Sequence, residues 1–400
     1  MYTLYPVMKI KAIPEDFIVR EVSDIPINKS CGAFRIYKLE KRQWDTLDLV
    51  GFISRKLAIG QNAISLGGMK DRYGETEQLI SIASNPRLPD KVEEKNFALT
   101  SLGYSNDKIT ARSQSGNRFE ITLRDITPME RKLFERNFGT VKKFGVPNYY
   151  DEQRFGAARH GKGYMGKEIF LRNMENALRL FLEPSKHDRK AERMFKIAAT
   201  ENWLKWEKVL PVTPPKYKKL IEYLLSRGNR SAFTGAFEYI DRRFLLLSLH
   251  GYQSYLFNRI LASYIREKSE LENFDLKELR FKYGNLLFHG PLSESSLGEI
   301  SSVSLPVPGY NTKTDDPLVQ KIISEVLSVE NISLDDLKVR KLYHMSVNGV
   351  ERSALAIPAD LSLVESGVDD LYPKKQKIRI SFFMERGSYA TLVIKRLFIG

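Results

Sequence analysis

The sequence predicts an α/β protein of the α+β kind, with strands gathered towards its two ends and helices in the middle. Two observations predict this. Period-2 alternation recurs around 17–22, 78–83 and 118–124 and again at 377–384. Between about 158 and 340 the apolar spacing turns mainly helical and the chain becomes more basic. A sheet assembled from the two ends would be interrupted by a large helical insertion.

Composition narrows the class. Four hundred residues suggest two or three domains. A 42% hydrophobic content is ordinary for a globular chain. No apolar run approaches the roughly 20 residues of a membrane-spanning helix. The start, Met1-Tyr2-Thr3-Leu4-Tyr5-Pro6, lacks the basic region and apolar core of a secretion signal. The single cysteine, Cys31, excludes an internal disulfide and a Cys-rich zinc site. A cytoplasmic location is therefore expected. The net charge of +14 asks for a polyanionic partner. It is spread along a chain with 19 Tyr and 22 Phe, which favours nucleic acid over a membrane surface. No duplex-reading motif is apparent, so RNA is the expected ligand.

Taken in order, Pro14 marks a turn before a strand in which Phe17, Val19 and Glu21 alternate with Ile18, Arg20 and Val22. Asp45 or Thr46 can cap a helix with the stripe Leu49, Phe52, Ile53 and Leu57, and Gly60 is its stop signal. Gly67-Gly68-Met69-Lys70-Asp71-Arg72-Tyr73-Gly74 is a loop between two strands, and its glycines allow a sharp bend. It presents Asp71 between Lys70 and Arg72. A carboxylate among cations stays ionised, which suits a nucleophile or base. Asn117 is expected at a turn before a strand with Phe119, Ile121 and Leu123 on one face.

A helix over 129–138 precedes Gly145-Val146-Pro147-Asn148-Tyr149-Tyr150-Asp151-Glu152-Gln153-Arg154-Phe155-Gly156. Gly161-Lys162-Gly163-Tyr164-Met165-Gly166 fits the dinucleotide fingerprint, but the preceding residues do not read as the strand that fingerprint needs. Tyr252-Gln253-Ser254-Tyr255-Leu256-Phe257-Asn258 opens a strong helix, and Leu305-Pro306-Val307-Pro308-Gly309-Tyr310 reads as a rigid turn. Asp315-Asp316-Pro317 starts another helix. At the end, 377–384 is a strand carrying Phe382, and residues 388–394 are expected to return as a second strand after Gly387.

These segments carry a resemblance. Lys11 with Pro14-Glu15-Asp16-Phe17 and Glu21, Gly68-Met69-Lys70-Asp71-Arg72 with Thr76-Glu77-Gln78, Gly116-Asn117-Arg118-Phe119, Pro147–Gly156, the Tyr252 string, the Leu305 string and Phe382 with Gly387-Ser388-Tyr389-Ala390-Thr391 follow one another as in the TruD family of tRNA pseudouridine synthases. The chain departs from the family string at Tyr150 and Asp151. The resemblance implies a pseudouridine synthase fold with a mixed, largely antiparallel sheet. It places a discontinuous catalytic domain at 1–145 plus 351–400 around an insertion domain at 146–350. It implies an isomerisation of uridine, at position 13 of tRNA, with Asp71 as nucleophile. Lys11, Lys70 or Arg72 would keep Asp71 ionised, Phe17 and Phe382 would sandwich the base, and Asn117 would bond its edge. Phe119 and Arg154 complete the substrate-binding set. No cofactor or metal is required, and no obligate protein partner is evident.

Two other classes are compatible with the residues. A protein could clamp and refold tRNA without chemistry. A nuclease could hold a divalent ion on Asp71, Glu75 and Glu77, although Lys70 and Arg72 make a poor setting for a cation.

Overall fold

The computed structural model describes residues 8–158, 160–227, 232–339 and 347–400; the start at Met1–Pro6 lies outside them. The chain divides into two compact units. One combines the segment up to Val146 with Ala356–Gly400, and the other is Pro147–Leu355.

The first unit is built on a ten-stranded sheet. Its strands are β1 (Lys9–Ile10), β2 (Phe17–Ser23), β3 (Phe34–Arg42), β4 (Ile64–Leu66), β5 (Glu75–Ala83), β6 (Lys91–Glu94), β7 (Phe97–Ser105), β8 (Gln114–Ile126), β9 (Ala359–Val368) and β10 (Gln376–Glu385). The order is β9-β10-β8-β2-β5-β3-β7-β6, with β1 on β8 and β4 on β5. Only β2 and β5 run parallel; the other pairs are antiparallel. The two ends of the chain thus meet in one sheet, β10 pairing with β8 from Gln376 to Glu385.

Side-chain alternation divides the sheet into two faces. One carries ion pairs such as Arg20–Glu120, Lys38–Glu40, Arg42–Glu75 and Arg379–Glu120. The other is apolar at both flanks. Around Tyr37, Leu39, Ile80, Ile82 and Leu99 it is covered by Leu49, Val50 and Ile53 of α1 (Thr46–Lys56). Asp45 caps α1 by accepting from the amides of Leu47 and Asp48. The helix ends at Lys56 and not towards Gly60, because Ala58 already turns the chain with a φ of 51°.

Thr127 caps α2 (Pro128–Phe144), which is longer than the expected 129–138. The strand expected at 388–394 is instead part of helix α3 (Ala390–Leu397). Nearly every residue of α3 is buried, so its apolar run carries no periodicity to separate helix from strand. Asn137 of α2 ties the end of α3 by donating to the carbonyls of Leu397 and Ile399, at 3.1 and 2.8 Å.

Asn117 is the other correction in this unit. It lies inside β8 and not at a turn, paired with Glu21 on β2 and Met384 on β10. Gly116 permits this: a Cβ there would lie 2.3 Å from the Met384 carbonyl oxygen and 2.4 Å from the Phe383 ring. A glycine that reads as a loop signal is here a close approach of strands.

The unit Pro147–Leu355 is mainly helical and is organised by the 31-residue helix Arg242–Glu272. Asn258 on that helix bonds both backbone groups of Tyr150, at 2.8 Å each. Gln253 donates to the carbonyl of Pro308 at 2.7 Å. Three motif strings of the sequence thereby meet on one helix. Leu305-Pro306-Val307 is not a turn but part of the strand Ser304–Val307, which pairs with Val350–Ser353. Asp316 caps Pro317–Val329 as expected. The residues before the glycine run form a 3-10 segment, Glu152–Ala158, so among the described residues no strand precedes the fingerprint directly. Among the described residues no helix is long and apolar enough to cross a membrane.

Candidate active site

Between its apolar flanks, this face of the sheet turns polar. Glu21 on β2, Thr76 and Gln78 on β5, Lys41 on β3 and Asn117 on β8 all point to this side by register. The loop between β4 and β5 crosses here. Gly67 and Gly68, expected to make its sharp bend, do not take a positive φ. The demanding position is Gly74, where a Cβ would lie 2.4 Å from the carbonyl oxygen of Phe17. Its lack of a side chain lets the loop rejoin the sheet directly against β2.

Lys11 meets Asp71 from the other side. Its Nζ lies 3.0 Å from Asp71 Oδ1, and the Asp71 side chain keeps 31% of its surface exposed. Lys11 has a φ of 68°, an uncommon conformation for a residue with a side chain. The following turn is anchored from below: Asp16 accepts from the amide of Ile13 at 3.0 Å and from Arg124 Nε at 2.8 Å. Arg124 also binds Asp369 at 2.9 Å, and the whole group is buried. Asp16, within the first motif, therefore sets the path of the chain between Lys11 and Phe17.

The two cations adjacent to Asp71 in sequence do not pair with it. Lys70 turns inward, 2.8 Å from Glu21 Oε2, with side chains only 6% and 1% exposed. It also donates to Asn117 Oδ1 at 2.7 Å. Arg72 is exposed and lies over the Tyr73 ring. Of the three cations named from sequence, Lys11 is the one that holds the carboxylate.

Asn117 is fixed in orientation by its neighbours. Its Oδ1 accepts from Lys70 and also from Gln114 Nε2, the latter at 2.8 Å. The oxygen is thus engaged twice, and the amide presents its Nδ2 as a donor. Sequence reasoning expected the side chain to donate and accept; the arrangement leaves it the first role. Thr76 Oγ1 and both amide atoms of Gln78 are buried nearby and find no hydrogen-bond partner among the described residues.

The phenylalanines are brought together, but not as an open slot. Phe119 on β8 stacks on Phe382 of β10, with centroids 5.6 Å apart and planes at 28°. It meets Phe17 edge-on at 6.1 Å. Phe119 stands on the strand between the other two, and Phe382 is 0% exposed. The expected sandwich of a base between Phe17 and Phe382 is not how these rings are arranged. The face of the Phe17 ring carries Lys11 Nζ, 3.9 Å from its centroid.

Arg154 belongs to the helical unit. There its Nε donates to Ser254 Oγ at 3.0 Å, and its guanidinium lies over the Tyr150 ring. Glu75 and Glu77 face the opposite side of the sheet from Thr76 and Gln78, with Glu75 paired to Arg42 at 3.5 Å. They do not converge with Asp71 on a cation. Among the described residues no cluster of three or more His, Cys, Asp or Glu could hold a metal ion.

Sequence reasoning missed Lys41, Gln114 and the pairing role of Glu21. Glu21 and Lys41 each sit in an alternating strand at a position facing an otherwise apolar side, and that was the available signal.

Residues 6–397 match the family described as tRNA pseudouridine synthase D (TruD). A Methanococcus maripaludis protein described as "Probable tRNA pseudouridine synthase D 1" is 30% identical over 397 residues, covering 98% of this chain and 99% of the relative. The tRNA pseudouridine synthase D of Aquifex aeolicus is 28% identical over 395 residues, covering 98% of each. A crystal structure from Methanosarcina mazei, described as "Putative tRNA pseudouridine synthase D (TruD)", superposes with a TM-score of 0.72 at 27% identity, covering 99% of this chain and 96% of that one.

Proposed function

Because the chain belongs to the tRNA pseudouridine synthase D family, we propose that it isomerises uridine to pseudouridine in tRNA, at position 13, with Asp71 as the nucleophile. The observation that carries this reading is the Asp71 carboxylate, partly exposed on a loop over the polar centre of the sheet and held by Lys11 at 3.0 Å. A carboxylate so placed is oriented and open to a ligand from one side.

The reaction breaks the bond between ribose C1′ and uracil N1 and forms one between C1′ and C5. The proton lost from C5 is balanced by one gained at N1. Nothing is oxidised or hydrolysed overall. The carboxylate attacks, Lys11 orients it, and Asn117 Nδ2 donates to a carbonyl of the uracil. The target base must leave its stack, at a cost of a few kcal/mol. The excess of Lys and Arg supplies phosphate contacts, which give affinity without sequence choice. The reading places this work in the cytoplasm.

The test is incubation of the purified protein with an unmodified tRNA transcript, followed by mapping of pseudouridine. The reading expects pseudouridine at position 13. Tight binding with no modified base would favour the RNA clamp, and strand cleavage lost in a chelator would favour the nuclease.

A further inference from the structure

Lys41 lies on β3 with 3% of its surface exposed, and among the described residues no carboxylate accepts a hydrogen bond from it. Its three ammonium donors go to main-chain oxygens: Trp44 at 2.9 Å, Asp71 at 2.7 Å and Lys70 at 3.4 Å. Thr46 adds two bonds to the same short stretch, accepting from the Lys70 amide and donating to its carbonyl, both at 3.2 Å. Among the described residues, the main chain over 69–73 makes no backbone–backbone hydrogen bond. The peptide that carries Asp71 is therefore held by side chains from the start of α1 and the end of β3.

We infer that Lys41 is a positioning residue for the reaction, clamping the main chain of Lys70 and Asp71 so that the Asp71 carboxylate stays in reach of Lys11 and of the substrate. The inference rests on Asp71 being the nucleophile. A buried ammonium is an expensive way to hold a loop, and here it ties two successive loop carbonyls, those of Lys70 and Asp71, to the carbonyl of Trp44 ahead of α1. A displacement of about 1 Å at a reacting group can lower a rate by roughly 10²-fold.

The clamp has a pH signature. Burial lowers the pKa of Lys41 to about 8, against the opposing pull of Asp71 on the loop and Asp45 at the helix start, and with help from Lys70. Its strand partners in register, Thr76 and Phe97, carry no charge. Above that pH the neutral amine has one donor fewer for three carbonyls.

The experiment compares wild type, Lys41→Arg, Lys41→Met and Asp71→Asn on a tRNA transcript, reading kcat, KM, melting temperature and the pH dependence of kcat. The expected result for Lys41→Met is a kcat lower by roughly 10²-fold with KM within about 3-fold of wild type. Wild-type kcat should fall on the alkaline side with a midpoint near 8. In Lys41→Arg, whose guanidinium stays charged, activity should be partly rescued and that limb should disappear. Should Lys41→Met not fold, the wild-type and Arg profiles decide alone. A wild-type kcat that stays flat through pH 9, or the same limb in Lys41→Arg, overturns the clamp. So does full turnover by a folded Lys41→Met while Asp71→Asn is inactive. Full turnover by Asp71→Asn would instead remove the nucleophile on which the clamp depends.

Discussion

Lys11 Nζ and Asp71 Oδ1 lie 3.0 Å apart although 60 residues separate them in the chain. The contact joins the turn before β2 to the loop before β5, the two parallel strands of the sheet. Removing it should leave the fold intact, because both side chains are partly exposed. Lys11→Met is expected to lower kcat by on the order of 10²-fold, the scale of losing one charge-stabilising donor. Its KM for tRNA should change little. Steady-state kinetics over a range of tRNA concentrations check both values.

Glu21 and Lys70 form the buried counterpart. Breaking one side strands a charge, so Lys70→Met is expected to destabilise by about 3–5 kcal/mol. The double variant Glu21→Gln with Lys70→Met should recover much of that loss, since no unpaired charge remains. Urea unfolding of the single and double variants measures the difference. Equal loss in both would show that packing and not charge is the cause.

Phe382 is expected to act on stability first. Its ring is fully buried and stacked on Phe119. Phe382→Ala should lower stability by roughly 3–5 kcal/mol, with tRNA affinity per folded molecule close to wild type. A fall in kcat without a shift in the unfolding midpoint would return this ring to a direct role at the base.

Arg124 binds Asp16 and Asp369 inside the first unit. Burial would raise the Asp369 pKa, but the amides of Asp125 and Leu371 and the Arg124 guanidinium outweigh it and hold the carboxyl below its usual range. A depressed folded pKa stabilises the protein above the unfolded value of about 4, and that contribution is lost as the pH falls through the folded value. In wild type the melting temperature should drop with acid below about pH 4. Arg124→Met should be less stable by about 3–5 kcal/mol at neutral pH, through two uncompensated carboxylates. Its stability should rise relative to wild type as acid neutralises Asp369.

Much of this was legible in the sequence for identifiable reasons. Alternation at Phe17–Val22 and around Phe119 marked the central strands, and Asp45 and Asp316 marked helix starts through their own hydrogen bonds. The loop carrying Asp71 was placed by the strands around it. What failed did so where tertiary contact overrides local pattern. α3 is buried almost all round, Gly116 serves strand packing, and Leu305-Pro306-Val307 pairs as a strand despite its proline. Partners were the least legible feature. Asp71 sits between Lys70 and Arg72 in sequence, yet it pairs with Lys11. Neighbours in an extended loop point apart, and only the fold brings distant groups together.

The central claim is that Asp71 supplies the nucleophile. A carboxamide nearly preserves the shape of Asp71 but lacks the negative oxygen that attack requires. The most direct measurement is pseudouridine formation by Asp71→Asn at saturating tRNA, with melting temperature and tRNA affinity determined on the same sample. The account predicts no detectable product, with stability and affinity near wild type, which marks a failure in chemistry and not in binding. Substantial turnover by the Asn variant, with reversion to Asp by deamidation excluded by mass spectrometry, would place the catalytic carboxylate elsewhere and contradict it.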